Sequence, residues 1–161
     1  MRIEKARPER LHEWATMRHQ LWQDATTAEH EVEACAMLTG LDLKAVAYFA
    51  ISDADEAVGF AEVSLRTDHV NGCDKSPVAF LEGFYVGPNF RRVGIAASLL
   101  GSVEDCARSV GCIELGSDAD WENADGHAFH TALGFTETER IIFFKKSLEL
   151  TLTRASHLSD A

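Results

Sequence analysis

The chain has 161 residues, of which 46% are hydrophobic, enough for one compact domain with an apolar core and too few for two. Its 15 Lys and Arg residues against 26 Asp and Glu residues give a formal net charge of -11. That charge disfavours nucleic acid and anionic membrane surfaces as partners and favours a cationic small molecule, although many soluble proteins are simply acidic.

The first third of the chain predicts one strand and two helices. Met1–Lys5 is predicted as a short strand, and Pro8 begins a helix that carries apolar and aromatic residues at helical spacing as far as Trp22. A second helix is predicted from Thr27 to Leu38, ending near Gly40. The charged and imidazole side chains of this pair are interpreted as solvated and without the spacing of a metal site: Arg18, His19, Glu29, His30 and Glu31.

The middle of the chain predicts a hairpin and a central strand. β-Branched and aromatic residues fill Val46–Ile51 and Val58–Leu65, and the polar run Asp53–Glu56 between them is typical of a turn. The polar segment Arg66–Ser76 is predicted as a loop. The apolar run Pro77–Val86 that follows is predicted as the central strand.

The last third predicts two helices and two strands, followed by a tail. In order, these are a helix from Arg92 to Val110, a strand from Cys112 to Gly116, a helix from Asn123 to Leu133 and a last strand from Glu139 to Lys146. We therefore expect one domain over residues 1–146 and a polar tail over residues 147–161.

Cysteine spacing and the N-terminal charges predict the compartment. The four cysteines form no CxxC pair and have no metal-ligand spacing, so we expect reduced thiols, no zinc site and no disulfide scaffold. The N-terminal residues are too charged for a signal peptide, and no apolar stretch approaches the roughly 18 residues of a membrane span. These features predict a cytoplasmic protein.

The most specific motif lies between the central strand and the long helix, over Val86-Gly87-Pro88-Asn89-Phe90-Arg91-Arg92-Val93-Gly94-Ile95-Ala96. Backbone amides at a helix start carry a partial positive charge that suits a pyrophosphate. Gly94 would let the backbone approach the phosphates, and Arg91 and Arg92 would add charge. The alternative is an ordinary strand-to-helix turn with solvated arginines.

Residues Arg91 to Ala96 resemble the R-x-x-G-x-A signature with which the GNAT superfamily of N-acetyltransferases binds coenzyme A, and the order of predicted elements matches that superfamily. The resemblance implies an α/β (α+β) fold, a single domain whose mixed central sheet is flanked by helices and whose fourth and fifth strands splay apart. It also implies acetyl-CoA as cosubstrate, with no metal. The implied contacts are Phe84 and Val86 along the pantetheine arm, and Arg91, Arg92, Val93, Gly94, Ile95 and Ala96 around the pyrophosphate.

Within the superfamily, residues 1 to 146 look like the aminoglycoside 6′-N-acetyltransferases. The resemblance is carried by Arg18-His19-Gln20-Leu21-Trp22, Val70-Asn71-Gly72-Cys73-Asp74, Ser76-Pro77, Phe80-Leu81-Glu82-Gly83, Ser117-Asp118, Leu133-Gly134-Phe135 and Glu137-Thr138-Glu139-Arg140. It implies acetyl transfer from acetyl-CoA to the 6′-amine of an aminoglycoside by direct attack in a ternary complex, antibiotic resistance, and a homodimer.

Three carboxylates are candidates for holding the cationic acceptor. Glu82 lies in the apolar run Phe80–Phe84, where an unpaired carboxylate is costly, so a partner or a water network is expected and a bound ammonium could be that partner; the alternatives are a structural salt bridge or a carboxylate on the sheet surface. Asp118 follows a predicted strand and either binds substrate opposite Glu82 or serves as a turn or N-cap residue. For Glu139, the resemblance implies a further acceptor-binding carboxylate.

Four further residues have candidate roles by resemblance. Trp22 matches a position that lines the acceptor site, although a helical tryptophan is often part of the core. His69 precedes a loop where relatives carry an aromatic residue facing the substrate. Asn123 matches a pantetheine contact and is also a candidate helix N-cap. His130 replaces the tyrosine that protonates the coenzyme A thiolate in many members, so it could donate a proton, bind coenzyme A or be structural, and it completes a candidate catalytic set with Glu82 and Asp118.

Two other functions compete with this one. A polyamine, a peptide N-terminus or a lysine could be the acceptor, since the same coenzyme A loop serves all of them. A module that senses acetyl-CoA without catalysis is the other class, and the presence of all three candidate acceptor carboxylates argues against it.

Overall fold

The computed structural model describes residues 1–40 and 45–148. Its strands and helices are β1 (Arg2–Lys5), α1 (Leu11–Leu21), α2 (Thr27–Leu38), β2 (Ala45–Ile51), β3 (Ala57–Arg66), β4 (Val78–Val86), α3 (Ile95–Ser109), β5 (Leu115–Ser117) and α4 (Ala124–Ala132). Short 3-10 turns precede α1 at Pro8–Arg10 and α3 at Pro88–Phe90.

The strands form one mixed sheet in the order β1-β2-β3-β4-β5. Each of the first four strands is antiparallel to the next, and β5 is parallel to β4. The last registered pair between β4 and β5 is Leu81 with Ser117, after which β4 continues to Val86 beside β3. The predicted mixed sheet and the splay of its fourth and fifth strands are therefore confirmed.

Helices cover both faces of the sheet because neighbouring strand residues point to opposite sides. On the face covered by α1 and α2, Phe60 of β3 packs in a cluster with Phe49 of β2 and Trp14 of α1. On the other, Ala61 packs with Leu99 and the rest of the apolar stripe of α3. Among the described residues, no helix combines the length and apolar character needed to cross a membrane.

The predicted helices α1, α2 and α4 and the hairpin are confirmed, while α3 and β5 begin later than predicted. α3 begins at Ile95 rather than Arg92, because Arg92 and Gly94 adopt left-handed backbone angles, φ 64° and 89°, which cannot be part of a right-handed helix. β5 begins at Leu115 rather than Cys112, because the Cys112 amide donates to the Ala107 carbonyl and completes the last turn of α3.

The predicted last strand, Glu139–Lys146, is wrong for this structure: residues 135–148 form no regular secondary structure. A strand requires a neighbouring edge for its backbone groups, and the sheet in the described part of the chain ends at β5 without pairing to this segment. Ile142, Phe143 and Phe144 are consequently 79%, 86% and 91% exposed. Most of the predicted tail, residues 149–161, lies outside the described residues.

Candidate functional site

A β-bulge places the first candidate carboxylate on the face covered by α1 and α2. Glu62 of β3 pairs with Gly83, and Val63 pairs with Leu81, so Glu82 has no register partner. A bulge of this kind re-aims a side chain and increases local twist. Two adjoining clefts, of about 300 and about 350 Å³, are each lined in part by both Glu82 and Ser64.

Glu82 already has a cationic partner within the chain. Both of its carboxylate oxygens accept hydrogen bonds from Nη2 of Arg66 at 2.9 Å, and the Ser64 hydroxyl also contacts Oε1. The Arg66 guanidinium lies 3.4 Å from the ring centroid of Phe80. Both charged side chains are more than one third exposed, so the pair is open to solvent and can exchange partners.

A buried polar cluster forms the floor of the larger cleft. Glu62 is 3% exposed and accepts hydrogen bonds from the Arg18 guanidinium and, at 2.7 Å, from the Trp14 indole N–H. Removal from water raises the pKa of the Glu62 carboxyl, and Arg18 and Trp14 oppose that rise. Arg18 also pairs with Glu33 at the rim. The prediction that Arg18 is solvated is wrong, because its guanidinium is the counter-charge of a buried carboxylate.

His30 is also buried, at 3% exposure, which contradicts its predicted solvated position. The Arg18 Nε–H donates to His30 Nδ1 at 3.4 Å, so the ring carries its proton on Nε2 and donates it to the Trp22 carbonyl at 3.0 Å. Those bonds fix the end of α1. The Trp22 indole then lies against Gly83, where an added Cβ would be 2.3 Å from the Trp22 Cη2 atom.

The remaining acceptor candidates lie on three segments around the splay. Asp118 is exposed and directly follows Ser117, as Glu82 directly follows Leu81, so the two carboxylates come after the last registered pair of β4 and β5. The carboxylate of Glu139 accepts a hydrogen bond from the Gly72 amide at 3.1 Å. His69 is exposed and lines the smaller cleft beside Glu82.

The candidate pyrophosphate loop is exposed and strongly curved. Arg92 and Gly94 have positive φ angles, and the first amides of α3 lack helical acceptors, as at any helix start. Arg91 is tied to the strand end by a 2.8 Å hydrogen bond from its Nε to the Val86 carbonyl. Val93 is exposed, whereas Ile95 and Ala96, the first residues of α3, are buried and half-buried and anchor the loop to the core.

The opened side of β4 is bordered by α4. Phe84 is half-buried, and its ring centroid lies 4.8 Å from that of Phe129 on α4. Asn123 is the N-cap of α4, since its side-chain oxygen accepts from the Gly126 amide at 2.8 Å. The N-cap role is thus confirmed, and it uses the side-chain oxygen of Asn123.

His130 joins α4 to the end of β5. Its Nδ1 lies 2.7 Å from the Gly126 carbonyl oxygen and its Nε2 lies 2.9 Å from the Ser117 hydroxyl. Ser117 in turn contacts the Leu81 carbonyl at 3.2 Å. The candidate proton donor is therefore linked to the point where β4 and β5 separate.

Sequence reasoning missed four residues of this site: Arg66, Glu62, Arg18 and Ser117. A glutamate within the apolar run of β3 signals a buried charge that needs a partner, and Arg18, four residues after Trp14, was available on the same helix face. No local signal links Arg66 to Glu82 or Ser117 to His130, because those pairs depend on the bulge and on the packing of α4.

The site combines an anionic acceptor region with a cationic loop at opposite ends of one opened strand edge. Carboxylates suit ammonium groups, and helix-start amides with arginines suit phosphates. Among residues 1–40 and 45–148, no cluster of three or more His, Cys, Asp or Glu side chains could hold a metal ion. The arrangement can bring a cationic amine to an anionic cofactor without requiring a charged group to be buried alone.

Comparison with known proteins gives one family. Residues 9–135 match a sequence model described as the acetyltransferase (GNAT) family. The aminoglycoside N(6′)-acetyltransferase type 1 of Serratia marcescens is 45% identical over 139 residues, which are 86% of this chain and 93% of that protein. The enzyme of the same name from Stenotrophomonas maltophilia is 42% identical over 147 residues, 91% of this chain and 94% of that protein.

Solved structures agree with the sequence comparisons. The structure of AAC(6′)-Iy in complex with the bisubstrate analog CoA-S-monomethyl-acetylneamine has a TM-score of 0.84 and 39% identity, covering 91% of this chain and 98% of that one. The aminoglycoside antibiotic 6′-N-acetyltransferase AAC(6′)-IG from Acinetobacter haemolyticus has a TM-score of 0.87 and 39% identity, covering 92% of this chain and all of that one.

Proposed function

The chain belongs to the acetyltransferase (GNAT) family, and we propose that it transfers the acetyl group of acetyl-CoA to the 6′-amine of aminoglycosides. The product amide is neutral where the amine was cationic, so the reaction would weaken the antibiotic's ionic contacts with its target and confer resistance. We also propose that the enzyme acts in the cytoplasm, where its cosubstrate is a metabolite.

The observation that carries this proposal is the likeness to named enzymes over nearly the whole chain. The aminoglycoside N(6′)-acetyltransferase type 1 of Serratia marcescens is 45% identical over 86% of the chain, and AAC(6′)-Iy in complex with the bisubstrate analog CoA-S-monomethyl-acetylneamine shares its fold. Such likeness supports the same donor and the same acceptor class. Acetylation of polyamines or peptides has no comparable support.

We infer that the cofactor occupies the opened edge of β4 and the loop beyond it. Phe84 and Val86 would face the pantetheine arm, and the side-chain amide of Asn123 would contact it from α4. The loop residues Arg91, Arg92, Val93, Gly94, Ile95 and Ala96 would hold the pyrophosphate through backbone amides and guanidinium charge.

We infer that the acceptor's ammonium groups bind the carboxylates around the splay. Glu82, Asp118 and Glu139 would pair with these groups, while Trp22 and His69 would line the same region. Entry of the substrate then requires Glu82 to exchange the Arg66 guanidinium for a substrate ammonium. Because the Arg66 pair is solvent-exposed, that exchange costs about 1 kcal/mol or less.

The proposed chemistry is direct attack of the amine on the thioester carbonyl in a ternary complex. The carboxylates Glu82 and Asp118 would position the amine and accept its proton through water. His130 would supply the proton that the departing sulfur needs. No covalent enzyme intermediate is formed.

The test is thiol release from acetyl-CoA with paired aminoglycosides that carry either a 6′-amine or a 6′-hydroxyl, alongside spermidine and a lysine peptide. We expect turnover of the 6′-amine compounds alone among the aminoglycosides, because the hydroxyl is a poor nucleophile at neutral pH. Equal turnover of both types would refute the regiochemistry. A kcat/KM for spermidine orders of magnitude above that for kanamycin would refute the substrate class.

The acceptor carboxylates are tested by isosteric neutral variants. Glu82→Gln and Asp118→Asn each remove a charge-assisted hydrogen bond of about 1.5–3 kcal/mol, so kcat/KM for kanamycin should fall roughly 10-fold or more. Asp105→Asn, an exposed carboxylate on α3, is the matched control and should leave it unchanged. A folded Glu82→Gln, Asp118→Asn double variant with parental turnover would contradict this acceptor site.

We further propose a homodimer that covers the exposed apolar segment. Ile141, Ile142, Phe143 and Phe144 form a run typical of a strand buried on both faces, yet they are 43–91% exposed in the single chain. The same segment of a second copy has matching chemistry. Sedimentation should give twice the chain mass for the parental protein and one chain mass for a folded Phe143→Glu, Phe144→Glu variant; a monomeric parental protein would refute the dimer.

A further inference from the structure

The opened edge of β4 begins at a serine hydroxyl. The last registered pair joins Leu81 to Ser117, and from there β4 runs on to Val86 paired with β3 alone. Five residue steps of about 3.3 Å give this edge a length of roughly 16 Å. The candidate phosphate loop adjoins Val86 at one end, and Ser117 lies at the other. An extended pantetheine arm lying along this edge would place its sulfur near Ser117.

His130 of α4 contacts that hydroxyl directly. Its Nε2 is 2.9 Å from the Ser117 Oγ atom, and its Nδ1 is 2.7 Å from the Gly126 carbonyl oxygen. Phe129 and Phe135 contact the ring edge-on, with centroids 5.5 and 5.2 Å away. Hydrogen-bond partners at both nitrogens and two nearly perpendicular phenyl rings thus hold the imidazole in place.

The partners of this pair define its proton states. A carbonyl oxygen only accepts, so His130 Nδ1 must carry a proton. If the ring is neutral, the Ser117 hydroxyl donates to Nε2 and its contact with the Leu81 carbonyl has no proton. If the ring is doubly protonated, Nε2–H donates to Ser117 Oγ while the hydroxyl donates to Leu81 at 3.2 Å, and all three contacts are hydrogen bonds. The same three contacts thus fit both arrangements, which differ by one proton on His130 Nε2.

We propose that Ser117 is the catalytic residue that delivers a proton to the sulfur of coenzyme A, and that His130 acts through it as the proton source. The inference rests on the proposed acetyl transfer but not on the identity of the acceptor. The hydroxyl lies at the strand separation where the sulfur is expected, and the His130 ring on α4 hydrogen-bonds to that hydroxyl.

The proton and electron balance is closed by water. The substrate ammonium first loses one proton to solvent, so that the free amine attacks. The nitrogen then forms the C–N bond and gives up its second proton through water held by Glu82 and Asp118; the C–S bond breaks, and the sulfur keeps the electron pair. The Ser117 O–H proton passes to sulfur as His130 Nε2–H passes to Ser117 Oγ, in one concerted shift. Neutral His130 then takes a proton from water before the next turnover.

The experiment measures kcat, both KM values and acetyl-CoA affinity for Ser117→Ala, Ser117→Thr, His130→Gln and the Ser117→Ala, His130→Gln double variant. A positioned general acid contributes about 10²-fold or more, so Ser117→Ala and His130→Gln should each lower kcat by that factor with little change in acetyl-CoA affinity. The double variant should be no slower than either single one, because the two groups act as one unit. Ser117→Thr keeps the hydroxyl and should restore most of the rate.

Two matched controls isolate the relay from general damage. Ser109→Ala removes a hydroxyl that donates to a backbone carbonyl on α3, and His127→Gln removes an imidazole one turn earlier on α4. Both should keep the parental kcat.

The possible contrary outcomes are distinct. A parental kcat in Ser117→Ala with a slow His130→Gln would show direct donation by His130 and overturn the relay. A loss of acetyl-CoA affinity at unchanged kcat in both variants would show a binding role alone and also overturn it. A parental protein that releases no thiol with kanamycin, spermidine or a lysine peptide would instead contradict the proposed function, and the relay with it.

Discussion

Adding a single methyl group at Gly83 tests whether β4 positions Trp22 for the acceptor. In Gly83→Ala the new Cβ would lie 2.3 Å from the Trp22 Cη2 atom and 2.8 Å from Cζ2. Reaching an ordinary contact of 3.4 Å requires a retreat of about 1.1 Å by the indole. His30 and Arg18 oppose that movement, since one holds the Trp22 carbonyl and the other lies 4.8 Å above the ring.

The expected cost follows from overpacking. A forced shift of this kind costs about 1–3 kcal/mol of unfolding free energy, or about 2–4 °C in Tm for each kcal/mol in a domain of this size. The KM for kanamycin should rise because Trp22 leaves its place, while acetyl-CoA affinity stays parental. Thermal unfolding, steady-state kinetics and calorimetry measure the three quantities.

A control and a rescue make this result specific. Gly101 lies inside α3, and an added Cβ there would have no atom within 4 Å apart from its chain neighbours and the backbone of its own helix, so Gly101→Ala should stabilise the protein by about 0.5–1 kcal/mol. Trp22→Phe removes the clashing ring atoms, so the Trp22→Phe, Gly83→Ala double variant should lose less stability than the two single losses combined. Parental Tm and KM in Gly83→Ala, or strictly additive losses, would refute the reasoning.

Three other results are expected. Gly94→Val should weaken acetyl-CoA binding strongly with little effect on aminoglycoside affinity, because an L side chain is strained at φ 89° and would occupy the space proposed for the pyrophosphate; unchanged calorimetric affinity in a folded variant would remove the loop from the site. Arg66→Gln should lower the KM for kanamycin up to about 5-fold, because it frees the Glu82 carboxylate for the substrate. A higher KM would mean instead that Arg66 positions Glu82. Hydrogen bonds from Arg2 and then Arg10 hold the pKa of Asp55 below its ordinary value, so this stabilisation is present above about pH 4 and is lost as pH falls through the lowered pKa. Arg10→Met should therefore lower the free energy of unfolding, measured with denaturant, less in acid than at neutral pH. A loss that does not change with pH would contradict the pairing of Arg10 with an ionised Asp55.

Much of the fold follows from local patterns. The capping box of Thr26 and Glu29, which begins α2, is local in sequence, and so is the apolar stripe of α3. The strands β2 and β3 are set by runs of β-branched and aromatic residues. The pyrophosphate loop was predictable for the same reason, because the residues of that motif are consecutive.

The candidate site was only partly predictable. Glu82 could be singled out as a charge in an apolar run, but its bulge and its partner Arg66 depend on how β3 registers against β4. Arg18 and His30 look solvated in a charged helical segment, but both are buried: Arg18 pairs with Glu62 of β3, and His30 lies between Arg18 and the Trp22 carbonyl.

The sequence by itself determined the identity of the helices and most strands, the coenzyme A signature and the acidic balance, because each depends on neighbouring residues or on composition. Only the tertiary structure decided that Ser117 meets His130, that Trp22 rests on Gly83, and that the apolar segment 141–144 has no strand to join within its own described chain. The physical reason is that hydrogen bonds and close contacts between distant residues depend on register and packing, to which local propensity contributes little.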